Sequence, residues 1–514
     1  MDVKTLVLPV IETDADTILG YCFEDERELM GAADAINKAM NGAVLELMDS
    51  GDFAGKPNQT IVLYPREAAK ARRVVLVGLG KVERFTADTL RRSAATGIRK
   101  ARELKARRVA TTLAGIEPGG LSRDSAARAI VEGALLGRYE YRGQKTTPAP
   151  EESPLPDALE VLVFQEDYLP EVDRGTLQGM AFAAGTMLAR DLVNMPPNLC
   201  TPDYLAQRAK DIAESAGLRC EALQRGQIEA LRMGALLAVA RGSETPPRFI
   251  ILEHNAERTA ELDTIVLVGK GVTFDTGGYT IKTGEGMVGM KADMAGAAAV
   301  IGAMGTIAAL DVPLHVVGLI PAADNMISGS SYRPQEVITA SNGKTIEIIS
   351  TDAEGRLLLA DALVYAKRYN PAAVVDIATL TGACVVALGS GAAGLFSTDD
   401  GLRDALMEAG ISTGERVWPL PMFPEYEKLI DSQTADMKNS GGRNAGASIG
   451  AVFLKNFVDY PVWAHIDMTG MMLDAEGNPY IPVKGGTGYG ARLLAEFVQQ
   501  WAERQPASTK SHSA

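Results

Sequence analysis

Apolar positions along the first third of the chain fall into short β-branched runs separated by longer amphipathic stretches. From Lys4 to about Glu166 the runs "TLVLPVI", "TIVLYP", "RVVLVGLG", "VATTLAGI" and "LEVLVF" read as strands. Between them Glu26–Met48, Ala87–Ala106 and Ser122–Tyr139 place apolar residues at helical spacing and read as helices. Strands alternating with helices predict an α/β domain. Gly175–Val193 is a further helix, stopped by the prolines of "NMPPN".

A second alternation begins near Asp203 and runs further. Strands are predicted at "RFIILEH", "TIVLVGK", "LHVVGLIP", "AAVVDIATL" and "VWAHIDM", and helices at Tyr204–Ala216, Met294–Leu310, Leu357–Tyr369 and Gly488–Arg504. This predicts a larger α/β domain around a central mixed sheet. The expected organisation is an N-terminal α/β domain over 1–172, a connecting helix over 173–194, a second domain over 195–504 and an unstructured polar tail over 505–514. The proline-rich, acidic stretch Lys145–Ala158 suits an extended surface loop. The longest uncharged runs, Met294–Leu310 and Ile377–Thr398, are rich in Gly, Ala, Ser and Thr, so close-packed buried segments are expected and no membrane span.

Composition narrows the picture. At 514 residues the chain exceeds what one core usually organises. With 46% hydrophobic and 23% charged residues it is an ordered, soluble type. A formal charge of -14 argues against general polyanion binding. One segment departs from that balance: Arg91, Arg92, Arg99, Lys100, Arg102, Lys105, Arg107 and Arg108 face a single acid, Glu103. Such a stripe is either a solvated helix face or a contact for nucleic-acid phosphates, and it lacks interleaved aromatics for stacking. The four cysteines show no paired spacing, and the N-terminus lacks the basic region of a signal peptide, so a reducing cytoplasm is expected.

Chemistry concentrates in the second domain. "TIVLVGKGVTFDTGGYTIK" is a strand that breaks into a glycine loop carrying Lys270, Asp275 and Lys282, and ligands bind beyond the carboxyl ends of strands in such sheets. Asp293 stands where an Ala/Gly helix starts, a position that also suits a simple helix cap. In "STDAEGRLLLADAL", an extended chain would aim Asp352 and Glu354 to one side, whereas the plainer alternative makes Asp352 a helix cap and Glu354 and Arg356 solvated first-turn charges. Four carboxylates brought together repel unless cations compensate, and two divalent ions would balance them. Oxygen donors suit Mg or Mn, and Zn also accepts carboxylates. The histidines lie in apolar strands or in the tail, so they are not expected as ligands.

The segments "VGKGVTFDTGG", "MKADMAGAAAV" and "STDAEGRL" resemble the signatures of the leucyl aminopeptidase family, the cytosol aminopeptidases of the M17 class. "NMPPNLCTP" and "PVWAHIDMTG" are similar to further family segments. The resemblance implies a macro-like N-terminal domain, a homohexamer and two divalent ions per subunit, Mn or Zn. One ion would be held tightly by Lys270, Asp275, Asp293 and Glu354, and an exchangeable one by Asp275, Asp352 and Glu354. Lys282 would act on the substrate carbonyl as a cation, and Arg356 would hold a bicarbonate ion as general base. Peptides with a free N-terminus would be the substrates, attacked by hydroxide bridging the ions. Met290, Thr379, Gly382, Thr469 and Met472 match positions around the first side chain, though Thr469 and the serine of "STDAEGRL" depart from the usual pattern. The competing reading, a Mg-dependent phosphoryl-transfer enzyme, rests on "SNGKT". Ile338 replaces the first glycine of a P-loop there, and Asn-Gly between strands is a hairpin signal.

Overall fold

The computed structural model describes residues 1–24, 26–114, 119–146, 154–473, 477–481 and 484–504. The chain divides into two compact units, Met1–Ala183 with Glu476–Val483, and Ala184–Ala475 with the remainder from Lys484. The division falls within one long helix. Parts of the proline-rich stretch and the whole polar tail lie outside the described residues.

The first unit runs β1 (Asp2–Val7), β2 (Thr17–Phe23), α1 (Gly31–Ala39), α2 (Ala43–Ser50), β3 (Thr60–Leu63) and β4 (Arg73–Gly80). It continues through α3 (Ala87–Glu103), β5 (Arg108–Thr112), α4 (Arg123–Gly137), β6 (Ala158–Val163) and α5 (Leu169–Asn194). Its six-stranded sheet is ordered β1-β6-β5-β2-β4-β3, parallel except for β3 against β4. The helix expected over Glu26–Met48 is two helices. Asn41 and Gly42 take positive φ between them, which no continuous helix allows. Thr86 caps α3 by accepting from the Thr89 amide at 3.2 Å.

The basic stripe lies on α3, the turn that follows it and the start of β5, and most of its charge is neutralised. Arg91 is buried against Glu132 (2.6 Å) and Asp88, and Arg92 also pairs with Asp88. Lys100, Arg102, Arg107 and Arg108 pair with Glu103, Glu140, Asp157 and Glu160 in turn. Carboxylates distant in sequence are thus folded onto the cations, which a count along the segment could not register.

The second unit runs α6 (Pro202–Ala216), β7 (Arg219–Leu223), α7 (Arg225–Ala230), α8 (Gly234–Ala240), β8 (Arg248–His254), β9 (Thr264–Gly269) and β10 (Gly271–Asp275). Next come α9 (Gly284–Met287), α10 (Ala295–Ala309), β11 (His315–Asn325), β12 (Val337–Thr339), β13 (Thr345–Glu347) and α11 (Gly355–Ala366). Then follow β14 (Ala373–Ala378), α12 (Gly382–Leu388), β15 (Ala393–Ser397), α13 (Asp400–Thr413), β16 (Val417–Pro419), β17 (Met437–Lys438), α14 (Gly446–Lys455), β18 (Trp463–Asp467) and α15 (Ala491–Arg504). The mixed sheet is ordered β16-β15-β18-β14-β9-β11-β8-β7, with β10 alongside β11. "SNGKT" forms the turn of the antiparallel β12–β13 hairpin, so it is no phosphate cradle.

At the centre, β18, β14, β9 and β11 are parallel. Every residue of β9 and β14 is buried, as continuous apolar runs in a covered sheet require. Val266 and Val268 of β9 pack with Leu357, Leu358 and Leu359 of α11. Each such side chain contributes about 1.5–3 kcal/mol on burial. α10, apolar on all sides, is buried on nearly all of them, so the uncharged run from Met294 is a core helix.

Candidate metal centre and active site

Four chain segments bring charge to one place beyond the carboxyl ends of the parallel strands. Lys270 follows β9, Asp275 ends β10, Asp293 precedes α10, and Glu354 precedes α11. All four are buried. Asp275, Asp293 and Glu354 each offer a carboxylate oxygen, and these oxygens lie within 4.8 Å of one another.

Three expectations for this region need correction. The chain is not extended from Asp352 to Glu354: the Ala353 amide donates to the Ser350 carbonyl in a turn, and Glu354 has helical backbone angles. Neither does Asp352 cap the helix, which has no side-chain cap. Asp293 is no cap either, since Met294 stands at that position and the carboxylate turns to Lys270 and Thr379. The carboxylates converge through loops from different strands rather than through alternation along one segment.

Lys270 Nζ is 2.9 Å from Asp293 Oδ1, 2.9 Å from Glu354 Oε1 and 2.6 Å from the Thr379 carbonyl. Burial works against its charge, but the surrounding carboxylates outweigh burial and raise its pKa. Lys282 Nζ bridges Asp275 Oδ2 (2.8 Å) and Asp352 Oδ1 (2.5 Å), and its pKa is raised in the same way against partial burial. Burial, reinforced by neighbouring acids, pushes Asp293 and Glu354 above the usual carboxylate range. Arg356 is pushed down to about 10 by burial; its Nη1 donates to the Asn439 carbonyl at 2.7 Å.

Buried atoms without partners test whether a metal fits. Asp293 Oδ2 and Glu354 Oε2 have no hydrogen-bond partner, although a buried carboxylate oxygen normally finds one. Three hard oxygen donors within 4.8 Å of one another suit a divalent ion. The donor set fits the group.

The weaker candidates divide. Thr379 Oγ1 donates to Asp293 Oδ1 at 2.6 Å, so it belongs to the cluster. Thr469 Oγ1 donates to Asp467 Oδ1 at 2.7 Å and accepts from the Thr381 amide at 3.1 Å. Gly382 opens α12, with no atom within 4 Å of where a β-carbon would stand. Met290 starts the turn that leads to Asp293, and Met472 follows the one at Thr469–Met471.

Sequence reasoning missed the residues that hold these parts in place. Asp467, fully buried at the end of β18, accepts from Leu380 N, Thr381 Oγ1, Thr469 N and Thr469 Oγ1. Asn439 accepts from the Ile349 and Ser350 amides and donates to the Ser350 carbonyl. The available signal was a polar residue at the end of a buried strand, which alone does not separate support from solvation.

Comparison with known proteins decides the family. The description "Cytosol aminopeptidase family, catalytic domain" matches residues 187–495, and the N-terminal domain of the same family matches 18–148. The chain belongs to the cytosol aminopeptidase family. It is a metal-dependent aminopeptidase, a hydrolase of peptide bonds. A probable cytosol aminopeptidase of Roseiflexus castenholzii is 46% identical over 89% of this chain and 93% of its own length. One of Syntrophotalea carbinolica is 42% identical over 97% and 100%. Among solved structures, the bottromycin maturation enzyme BotP in complex with Mn is 34% identical, with a TM-score of 0.83 over 95% of this chain and 100% of its own. A mutant tomato leucine aminopeptidase is 35% identical, with a TM-score of 0.84 over 97% and 96%. The phosphoryl-transfer reading has no support among these.

Proposed function

We propose that this cytosol aminopeptidase releases the first residue, leucine and other mainly apolar residues, from peptides with a free N-terminus, and that two divalent ions, Mn or Zn, serve it. The observation that carries this reading is the pair of buried, unpartnered oxygens, Asp293 Oδ2 and Glu354 Oε2, beside Asp275. Lys270, Asp275, Asp293 and Glu354 would hold one ion, and Asp275, Asp352 and Glu354 the other. When bound, such ions acidify water and polarise a carbonyl, so that hydroxide attack proceeds near neutral pH.

The chain's own residues supply the rest. Lys270 would have to be neutral to act as a ligand, and a divalent charge held by the same carboxylates would offset the field that now favours its ammonium. Lys282 keeps its charge. Were Asp275 and Asp352, which it now bridges, to hold an ion, its ammonium would be free to stabilise negative charge developing on the substrate carbonyl oxygen. Arg356, whose Nε is buried without a partner, suits a small anion such as bicarbonate placed to accept a proton. Asp467, Thr381 and Thr469 stiffen the loops that carry Thr379 and Met472, next to where the first side chain would lie.

A homohexamer and a cytoplasmic location are part of this reading, supported by the sequence resemblance and, for location, by the relatives' names. The test is kinetic. Chelation should abolish cleavage of a leucyl substrate, and Mn or Zn should restore it. An N-acetylated peptide should resist cleavage, because its blocked nitrogen ligates poorly. Full activity in metal-free protein, or equal rates on blocked and free peptides, overturns the reading.

A further inference from the structure

Asn325 closes β11 directly opposite Asp275 in the parallel pairing with β10, and it is fully buried. Its side-chain nitrogen donates to Asp275 Oδ1 at 2.8 Å and to the Thr351 carbonyl at 3.0 Å. These acceptors fix the amide's orientation, since a reversed amide would set oxygen against a carboxylate and a carbonyl. The two hydrogens of one NH2 group therefore tie together two segments, the end of β10 and the turn that leads to Asp352 and Glu354. The main chain adds to the hold: the Asn325 carbonyl accepts from the Thr276 amide (3.1 Å) and from Thr276 Oγ1 (2.8 Å).

We infer that Asn325 is the positioning residue that sets Asp275 against Asp352 and Glu354, an inference that rests on reading these carboxylates as a metal site. By occupying Oδ1, it leaves Asp275 Oδ2 as the oxygen presented to the site, where Lys282 now lies. Lys270 and Asp293 come from other segments and make no use of the bridge. The ion held through Asp275, Asp352 and Glu354 should therefore depend on Asn325 more than the one held with Lys270 and Asp293.

Removing the bridge strands neither acceptor. Asp275 Oδ1 also accepts from the Gly277 amide at 2.8 Å, and the Thr351 carbonyl from Tyr332 Oη at 2.8 Å. Asn325 variants should fold, with the damage confined to the relative placement of the two segments.

The experiment titrates metal-free full-length protein with Mn by calorimetry, comparing the parent with Asn325→Ala, Asn325→Leu and Tyr332→Phe. Leu nearly fills the Asn325 space without donors, and Tyr332→Phe removes the other donor to Thr351 while leaving Asp275 untouched. The Asn325 variants should lose about tenfold to a hundredfold in affinity at the weaker binding step, the range for groups that orient metal ligands. Thermal unfolding of their metal-free forms should stay close to the parent's, and Tyr332→Phe should bind Mn as the parent does. An unchanged isotherm in folded Asn325 variants overturns the inference. So does equal weakening in Tyr332→Phe, which would indicate general loosening, and so does failure of both Asn325 variants to fold, which would assign the residue to folding. A parent that binds no Mn overturns the metal reading itself.

Discussion

Gly355 lies against the side chain of Lys270: a β-carbon at Gly355 would stand 2.5 Å from Lys270 Cε and 2.7 Å from its Nζ. The glycine between Glu354 and Arg356 is there because the first turn of α11 passes the lysine stem without room for a methyl group.

Gly355→Ala should therefore act on the metal site rather than on helix formation, which alanine favours. Lys270 would be pushed from Glu354 and Asp293, with metal affinity falling about tenfold or more. Metal content after dialysis, measured beside helical circular dichroism, checks this; normal metal content would show that the stem can yield.

The two lysines should separate. On the proposed reading Lys270→Ala removes a ligand, so metal content and activity should fall together, with partial rescue by excess metal. Lys282→Ala should retain metal and lose turnover by about a hundredfold or more, as when one oxyanion donor is removed. Excess metal should not repair it. Metal analysis and steady-state kinetics on both variants decide; two normally loaded variants would remove Lys270 from the ligand set.

Asn439 offers a contrasting case. It pins Ile349 and Ser350 with its side chain and Arg356 with its carbonyl, and touches no carboxylate of the cluster. Asn439→Ala leaves part-buried backbone groups of Ile349 and Ser350 without their side-chain partner, at about 1 kcal/mol. Turnover should drop with the ion near Lys270 and Asp293 still bound. Loss of all metal would mean that the turn holds the whole site.

The cysteines give a pH prediction. Burial pushes the Cys22, Cys200 and Cys384 thiols up to about 12 and that of half-buried Cys220 up to about 11. All stay protonated at pH 7, so alkylation of the native protein should be slow and begin at Cys220. Because the folded chain keeps protons that the unfolded chain releases above its thiol pKa of about 8.5, these groups stabilise less as pH rises from there toward 12. Mass-mapped iodoacetamide labelling against pH tests both order and direction; Cys200 reacting first at pH 7 would contradict the burial argument.

The sequence by itself determined the α/β alternation, the buried strands flanking the site, the core helix from Met294, and the charged segments by which the chain resembles its family. These are legible because periodicity and motif spacing are local properties. Only the tertiary structure decided how the charges meet. Asp352 and Glu354 turn rather than extend, Asp293 leaves the cap position for Lys270, and the cations between Arg91 and Arg108 find partners as remote as Glu160. Asn325, Asn439 and Asp467 carried no signal that separates support from solvation, because a buried amide or carboxylate is defined by what it bonds. Those partners lie on strands and loops that only the closed sheet brings within hydrogen-bond reach.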